Sequence, residues 1–333
     1  MAVKAQLTRE DRGAQSSSIR TILVAVADPS ARQQPAVDRA TELASALGAR
    51  LILFHSAFEP ALSGRPFFNS KRLAKSRGWM VAQLTQQLDR CALRLRAGGL
   101  IVETCVVWEE PTHEAVIRAV LREQADLVVA GRHVRRGDRL LQLRLTDWEL
   151  MRLCPRPLLL VHAAPQISTG GSVLAALDPT HGNDKPASLD LAIANHAGEV
   201  AQSLQLPLHA VHCVPKSAYA LGECSPSDRR RMRDRASARL RRVAKKSDES
   251  FAALHVVDGD VAEAVPALAR KLSAQVVAMG IISRRWLKHF AVGDTAESVI
   301  RNAPCDLLLI KPDNFRLRLG RSRKEAIILP MER

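Results

Sequence analysis

Aromatic residues are scarce in this 333-residue sequence, at 4% with a single tyrosine. Stacking platforms for single-stranded nucleic acid are therefore poorly supplied. No apolar run approaches the roughly 18 to 20 residues needed to cross a bilayer, so a transmembrane protein is not expected. Met1 to Ser18 is polar and charged and has no apolar h-region, which points to a cytoplasmic chain without a secretory signal. Catalytic signatures are missing as well. There is no Gly-x-Ser-x-Gly elbow, no Walker Gly-x-x-x-x-Gly-Lys and no HExxH pair. The six cysteines include no CxxC and read as small buried hydrophobes in apolar segments. His209, His212 and Cys213 are close in sequence, but residues i and i+3 of a strand point to opposite faces, so no metal site is expected there. An enzyme is not expected, with a slow ATPase as the alternative to test.

Acidic residues are also in deficit. Lys plus Arg number 49 against 34 for Asp plus Glu, a formal charge of +15. An excess of this kind suits a phosphate-bearing partner or a solvated surface. Its densest block runs from Arg229, Arg230, Arg231 and Arg233 through Arg241 and Arg242 to Lys246, and a second lies in the tail from Arg316 to Lys324. Within the first, Met232, Ala236, Leu240, Val243 and Ala244 recur at helical steps, predicting a helix with one packed stripe and a basic outer face. A nucleic-acid-associated protein using helix 229–246 and the tail is the alternative function this block suggests.

The chain repeats itself. A shift of 149 superimposes Glu114-Ala115-Val116 on Glu263-Ala264-Val265, Gly131 on Gly280, Thr146 on Thr295, Arg152 on Arg301 and Pro155 on Pro304. Near the start of each half the shift is 150, with Asp28-Pro29 opposite Asp178-Pro179. A period this long is a duplicated domain, consistent with the length. Short apolar runs at 22–27, 51–55, 102–107, 127–131 and 157–162 read as strands buried on both faces of a parallel sheet. Runs at 173–177, 208–213, 254–257, 276–280 and 306–311 repeat them. Stripes such as Ala36, Ala40, Leu43, Ala44 and Leu47 lie between and read as helices. The fold class is α/β: two tandem Rossmann-like domains, each an open five-stranded parallel sheet flanked by helices. Ligands in such sheets sit at the carboxyl ends of the strands. That places Asp28 and Asp178, His55, Cys213 and Val214, and Gly131 and Gly280 at the candidate edges.

These residues reach a known family. The Asp-Pro after the opening strand, Val276-Val277-Ala278-Met279-Gly280, Gly293-Asp294-Thr295-Ala296-Glu297 and Arg301-x-x-Pro304-Cys305-Asp306-Leu307-Leu308-Leu309-Ile310-Lys311-Pro312 together resemble tandem universal stress proteins of the UspE-like branch. The resemblance implies adenine nucleotide alpha hydrolase-like domains at 20–164 and 170–313, followed by a basic tail at 314–333. It implies a non-catalytic stress-response protein, with ATP or another nucleotide as a weak ligand. An intramolecular pseudo-dimer, and a homodimer of it, are the partners that duplication suggests.

The family's ATP-binding members carry Gly-x-x-Gly, nine residues, then Gly-Ser or Gly-Thr, because backbone amides and a hydroxyl cradle the phosphates. The pattern falls here on Gly280, Ser283, Gly293 and Asp294. A carboxylate about 4 Å from a phosphate costs roughly 4 kcal/mol at an effective dielectric of 20. Thr295 is the neighbouring source of a hydroxyl. The resemblance therefore implies a ligand site at Asp178, Val214, Met279, Gly280, Ser283, Gly293, Asp294 and Thr295, weakened toward triphosphates. In the first half the positions are Gly131, Val134, Arg144 and Leu145, and the loop gains Arg132, Arg135, Arg136 and Arg139. Chemistry lost with fold retained is the simplest account; an anion site of arginine forks is the alternative. The inserts at 58–72 and 214–227 read either as caps on the opposite domain or as lids over an apolar pocket.

Overall fold

The structure, a computed structural model, describes residues 17–62, 70–132, 145–162, 170–180, 186–215, 225–247, 249–281 and 294–317. The first half runs β1 (Thr21–Ala25), α1 (Pro35–Leu47), β2 (Arg50–Ala57), α2 (Ser70–Ala97), β3 (Val102–Trp108), α3 (Thr112–Arg122), β4 (Leu127–Gly131), α4 (Leu145–Leu153) and β5 (Leu158–Val161). The second repeats it as β6 (Ser172–Ala176), α5 (Ala187–Ser203), β7 (Leu208–Val214), α6 (Pro226–Lys246), β8 (Phe251–Asp258), α7 (Val261–Lys271), β9 (Ala274–Gly280), α8 (Asp294–Asn302) and β10 (Asp306–Ile310).

Each half is the expected five-stranded parallel sheet, and the two are joined. The strand order is β3-β2-β1-β4-β5-β10-β9-β6-β7-β8, one ten-stranded sheet. The join is the antiparallel pair β5–β10, in register Leu158↔Leu309, Leu159↔Leu308 and Leu160↔Leu307. Either sequence alone would leave an almost wholly apolar strand at an open edge, a template for aggregation. Pairing the two removes both edges at once.

Strand residues alternate between two layers. Ile22 and Val24 belong to the layer that also holds buried residues of α1, α2, α5 and α6, while Leu23 belongs to the layer of α3, α4, α7 and α8 on the other face. Local chemistry sets the helix ends. Pro35 opens α1, and Gly48 closes it at φ 63°, a left-handed cap. Ser225 and Asp228 form a reciprocal capping box at the start of α6.

Polar contacts among the described residues lock one half to the other, including the Ser18 hydroxyl on Glu199 at 2.7 Å. Arg132, just after β4, is buried and donates to the carbonyls of Ile300 (3.1 Å) and Ala303 (3.0 Å) at the end of α8. Lys311, just after β10, is buried and donates to Met151 O in the last turn of α4. Arg39 of α1 pairs with the buried Asp306 at 2.9 Å, whose other oxygen accepts the His162 amide at 2.8 Å. Cations on helix C-terminal carbonyls satisfy orphan acceptors and oppose the helix dipole.

One expectation changes here. Arg132 does not open as an anion-binding fork; it is buried, and its two terminal nitrogens donate to the α8 terminus. The described residues at the start of the first insert pack near α2 and β3. Phe58 lies 5.8 Å from the Trp108 ring, and Arg77 of α2 sits over the same ring while donating to Leu62 O at 2.7 Å. All four belong to the first half, where an indole surface and a guanidinium plane were available. The rest of that insert up to residue 69, and residues 216–224 of the second, lie outside the described residues. So do Arg135, Arg136, Arg139 and Arg144. Phe315 and Leu317, placed by sequence in the basic tail, fold back: Lys311 Nζ is 5.0 Å from the Phe315 ring, and Leu317 packs on the core.

Candidate functional site

The carboxyl edge of the second half gathers the candidate residues around β6, which lies between β9 and β7. Ala176 pairs with Met279 on one side and Val211 on the other, so Asp178, Gly280 and Val214 all emerge at one end of adjacent strands. This is the place where the strand order switches direction. Met279 and Val214 are buried, and the Val214 carbonyl accepts the Gly259 amide at 2.9 Å. Gly259 has φ +145°, which lets the chain turn sharply off β8.

Asp178 is held in its own turn. Its Oδ1 accepts the Thr180 amide at 3.2 Å and the Thr180 hydroxyl at 2.5 Å, while its amide donates to Asp190 Oδ1 at 2.9 Å. The His212 ring stands beside it, with Nδ1 3.1 Å from Leu177 O and 3.9 Å from Asp178 Oδ1. A carbonyl partner fixes Nδ1 as the protonated nitrogen of the neutral ring and leaves Nε2 as an acceptor.

The first half carries the same pair. Asp28 Oδ1 accepts the Ser30 amide (2.8 Å) and hydroxyl (2.6 Å), and His55 Nδ1 lies 2.8 Å from Val26 O. The Ser30 hydroxyl and amide hold the Asp28 carboxyl below its usual range, against a small burial effect, with His55 helping. Burial pushes the His55 imidazole down, opposed by the Val26 carbonyl and Asp28. His55 and His212 correspond at a shift of 157, because Ile22 pairs with Leu51 where Val173 pairs with Leu208. The recurring Asp–His pair is what sequence reasoning missed. The signal was present, but the longer insertion before the second strand hides it from a fixed shift of 149 or 150.

Gly280 has a packing explanation of its own. A Cβ there would meet Leu189 Cδ2 at 2.8 Å and Ile193 Cδ1 at 3.2 Å, so the absent side chain lets α5 lie close on the sheet. Asp294 and Thr295 open α8, where the first-turn amides of a helix are free of intrahelical partners. Ser283 and Gly293 lie outside the described residues, as do the side chains of Asp294 and Thr295. The structure therefore brings Asp178, Val214, Met279 and Gly280 to one edge and leaves the phosphate loop undescribed. Among the described residues no group of three or more His, Cys, Asp or Glu is arranged to hold a metal.

The model of the universal stress protein family matches residues 18–162 and 173–311, one match for each half of the sheet. The chain belongs to the universal stress protein family. As a tandem universal stress protein it is similar to universal stress protein E of Photorhabdus laumondii, 28% identical over 305 residues, covering 88% of this chain and 95% of the relative. Universal stress protein E of Escherichia coli is likewise 28% identical over 302 residues, with the same 88% and 95% coverage. A crystal structure of a functionally unknown Pseudomonas aeruginosa protein superposes with a TM-score of 0.65 at 25% identity, covering 89% of this chain and 94% of that one. A universal stress protein of Archaeoglobus fulgidus shares the fold at a TM-score of 0.54 and 15% identity, over 89% and 99% of the two chains. No helix among the described residues of this universal stress protein is long and apolar enough to cross a membrane.

The candidate basic-surface residues of this universal stress protein lie on α6. Arg229, Arg230, Arg231, Arg233, Arg241 and Arg242 are exposed, while Ala236 and Leu240 face inward, as the sequence stripe requires. Arg233 pairs with Asp258 at 2.7 Å, and Arg231 lies 3.7 Å from Asp228.

Proposed function

We propose that the protein is a cytoplasmic, non-catalytic binding module of the stress response, with its small-molecule site at the carboxyl edge of β6, β7 and β9. The observation that carries this is the convergence of Asp178, Val214 and Gly280 on the strand-order switch of the second half. Binding rather than turnover is favoured because the titratable pair at that edge is already committed. The Asp178 carboxylate holds Thr180, and His212 Nδ1 is fixed on a backbone carbonyl. The ligand class is a nucleotide or a phosphate-poor relative, since Asp294 stands where ATP-binding members of the family carry a hydroxyl. A nucleotide with fewer phosphates is bound more tightly than ATP.

Native mass spectrometry of the purified protein, followed by calorimetric titration with adenosine, AMP and ATP, tests this reading. The pair Ser283→Gly and Asp294→Ser raises ATP affinity if the phosphate cradle is what the chain has lost. Undetectable binding of every nucleoside and nucleotide by both proteins would refute the site.

A further inference from the structure

The outer face of α6 is the strongest feature that the ligand site leaves unused. Helix α6 carries ten cationic against two acidic residues, so +8 of the chain's +15 sits on 21 residues. Its stripe of Ala236, Leu240 and Val243 is turned inward. On one outer flank Arg231, Arg235, Arg239, Arg242 and Lys246 follow each other at steps of three or four residues. At 1.5 Å per residue this row is about 22 Å long, with a cation every 5 to 6 Å. All five are exposed. Among the described residues Arg235, Arg239, Arg242 and Lys246 make no ion pair or hydrogen bond, and Arg231 has only Asp228 at 3.7 Å.

The row is unfavourable for the isolated protein. Neighbouring like charges at helical spacing repel. Arg229 in the first turn, with Arg230 and Arg231 just after it, also stands near the end at which the helix dipole disfavours cations. An anionic partner relieves both. Arginine rather than lysine fills most of the row, which suits bidentate contact with phosphate oxygens.

We infer that this flank of α6 binds the phosphate backbone of double-stranded DNA without reading its sequence. The row has no aromatic side chain on which unpaired bases would stack, which disfavours a single strand. Ala238 is the exposed apolar residue beside it on the outer face, and no large apolar side chain stands there, which disfavours insertion into a lipid surface. A straight helical row fits the broad groove edges of B-form DNA better than the deep, narrow major groove of an RNA duplex. This inference is independent of the small-molecule site, which lies at the strand ends and uses none of these residues.

The test is fluorescence anisotropy of a labelled random-sequence DNA duplex of roughly 24 base pairs, titrated with the full chain over a salt series. Five phosphate contacts give a log–log salt slope of about −4.5, and a loss of about 500-fold in affinity between 50 and 200 mM salt. The triple reversal Arg231→Glu, Arg235→Glu and Arg242→Glu weakens binding more than about tenfold, flattening the slope by about 2.7. Reversal of Arg32, Arg90 and Arg94, exposed elsewhere on the first half, changes net charge equally and leaves binding within about threefold. A thermal melt reports whether each variant folds; if the reversal does not, glutamine at the same three positions gives the same flattening. No binding at about 25 mM salt, equal loss in the control, or tighter retention of an RNA duplex or anionic phospholipid vesicles would overturn the inference.

Discussion

The ammonium of Lys311 donates to the backbone oxygen of Met151 at 2.5 Å, across the seam between the two halves of the sheet. Its mirror image is Arg132 on Ile300, 3.1 Å apart. Met151 and Ile300 are equivalent at the 149-residue shift, but Arg132 and Lys311 are not. One cation follows the fourth strand of its half and the other follows the fifth. The pseudo-twofold is thus kept in the helices and broken in the residues that hold them. Divergence of the two copies has let each seal the other by different chemistry.

Burial pulls the Lys311 ammonium down from 10.5 to about 8, helped by Arg152 and opposed by Cys154. Between those two values the unfolded chain binds the proton and the folded chain does not. Stability contributed at this site therefore rises with pH across that window, by on the order of 3 kcal/mol at most. Urea melts of the wild type and Lys311→Met at pH 7.5, 8.5 and 9.5 check this. The wild type gains relative to the variant as pH rises; a constant difference would show that Lys311 titrates normally.

Arg132→Ala leaves two helix-end carbonyls without their donor and opens a buried space. The expected cost is about 2 to 4 kcal/mol, since orphaned buried acceptors and lost packing both count. Hydrogen exchange should rise first at the C-terminal turn of α8. Protection lost evenly over both halves would mean that Arg132 acts on the whole fold instead.

Asp306 is pushed up by burial and held down by Arg39, the His162 amide and His162 itself. Arg39→Met removes the balancing cation and costs about 3 to 5 kcal/mol at neutral pH, as for other broken buried pairs. Arg39→Met combined with Asp306→Asn recovers much of it, because the stranded charge is gone. Strict additivity of the two changes in denaturant melts would show that the pair is not coupled.

Gly280→Ala places a methyl group 2.8 Å from Leu189 Cδ2. Overpacking of this kind costs about 1 to 3 kcal/mol. Adding Leu189→Val, which shortens the opposing side chain, restores stability. Failure of that rescue would assign the glycine to something other than the α5 contact.

How much of this was legible beforehand follows the range of the interactions. The strands at 127–131, 173–177 and 306–311 are readable because burial on both faces demands unbroken apolar runs. Helix α6 is readable because one buried stripe must recur at helical steps. The Asp28 and Asp178 turns are local and stand where the Asp-Pro pairs place them. The His55–His212 correspondence is half-legible: each residue stands two positions before the end of the second strand of its half, but insertions break the fixed shift that would align them.

Sequence alone determined the duplication and the α/β alternation, because the first shows as matching residues at a near-constant shift and the second as apolar periodicity along each short segment. Tertiary structure alone decided that Leu158–Val161 and Asp306–Ile310 pair across the halves, and that Arg132, Lys311 and Arg39 close the seam. Those contacts join positions more than 140 residues apart, and nothing local distinguishes a cation that caps a distant helix from one that faces water. The same ambiguity hides the reason for Gly280, whose missing side chain is explained only by the leucine that the folded chain brings against it.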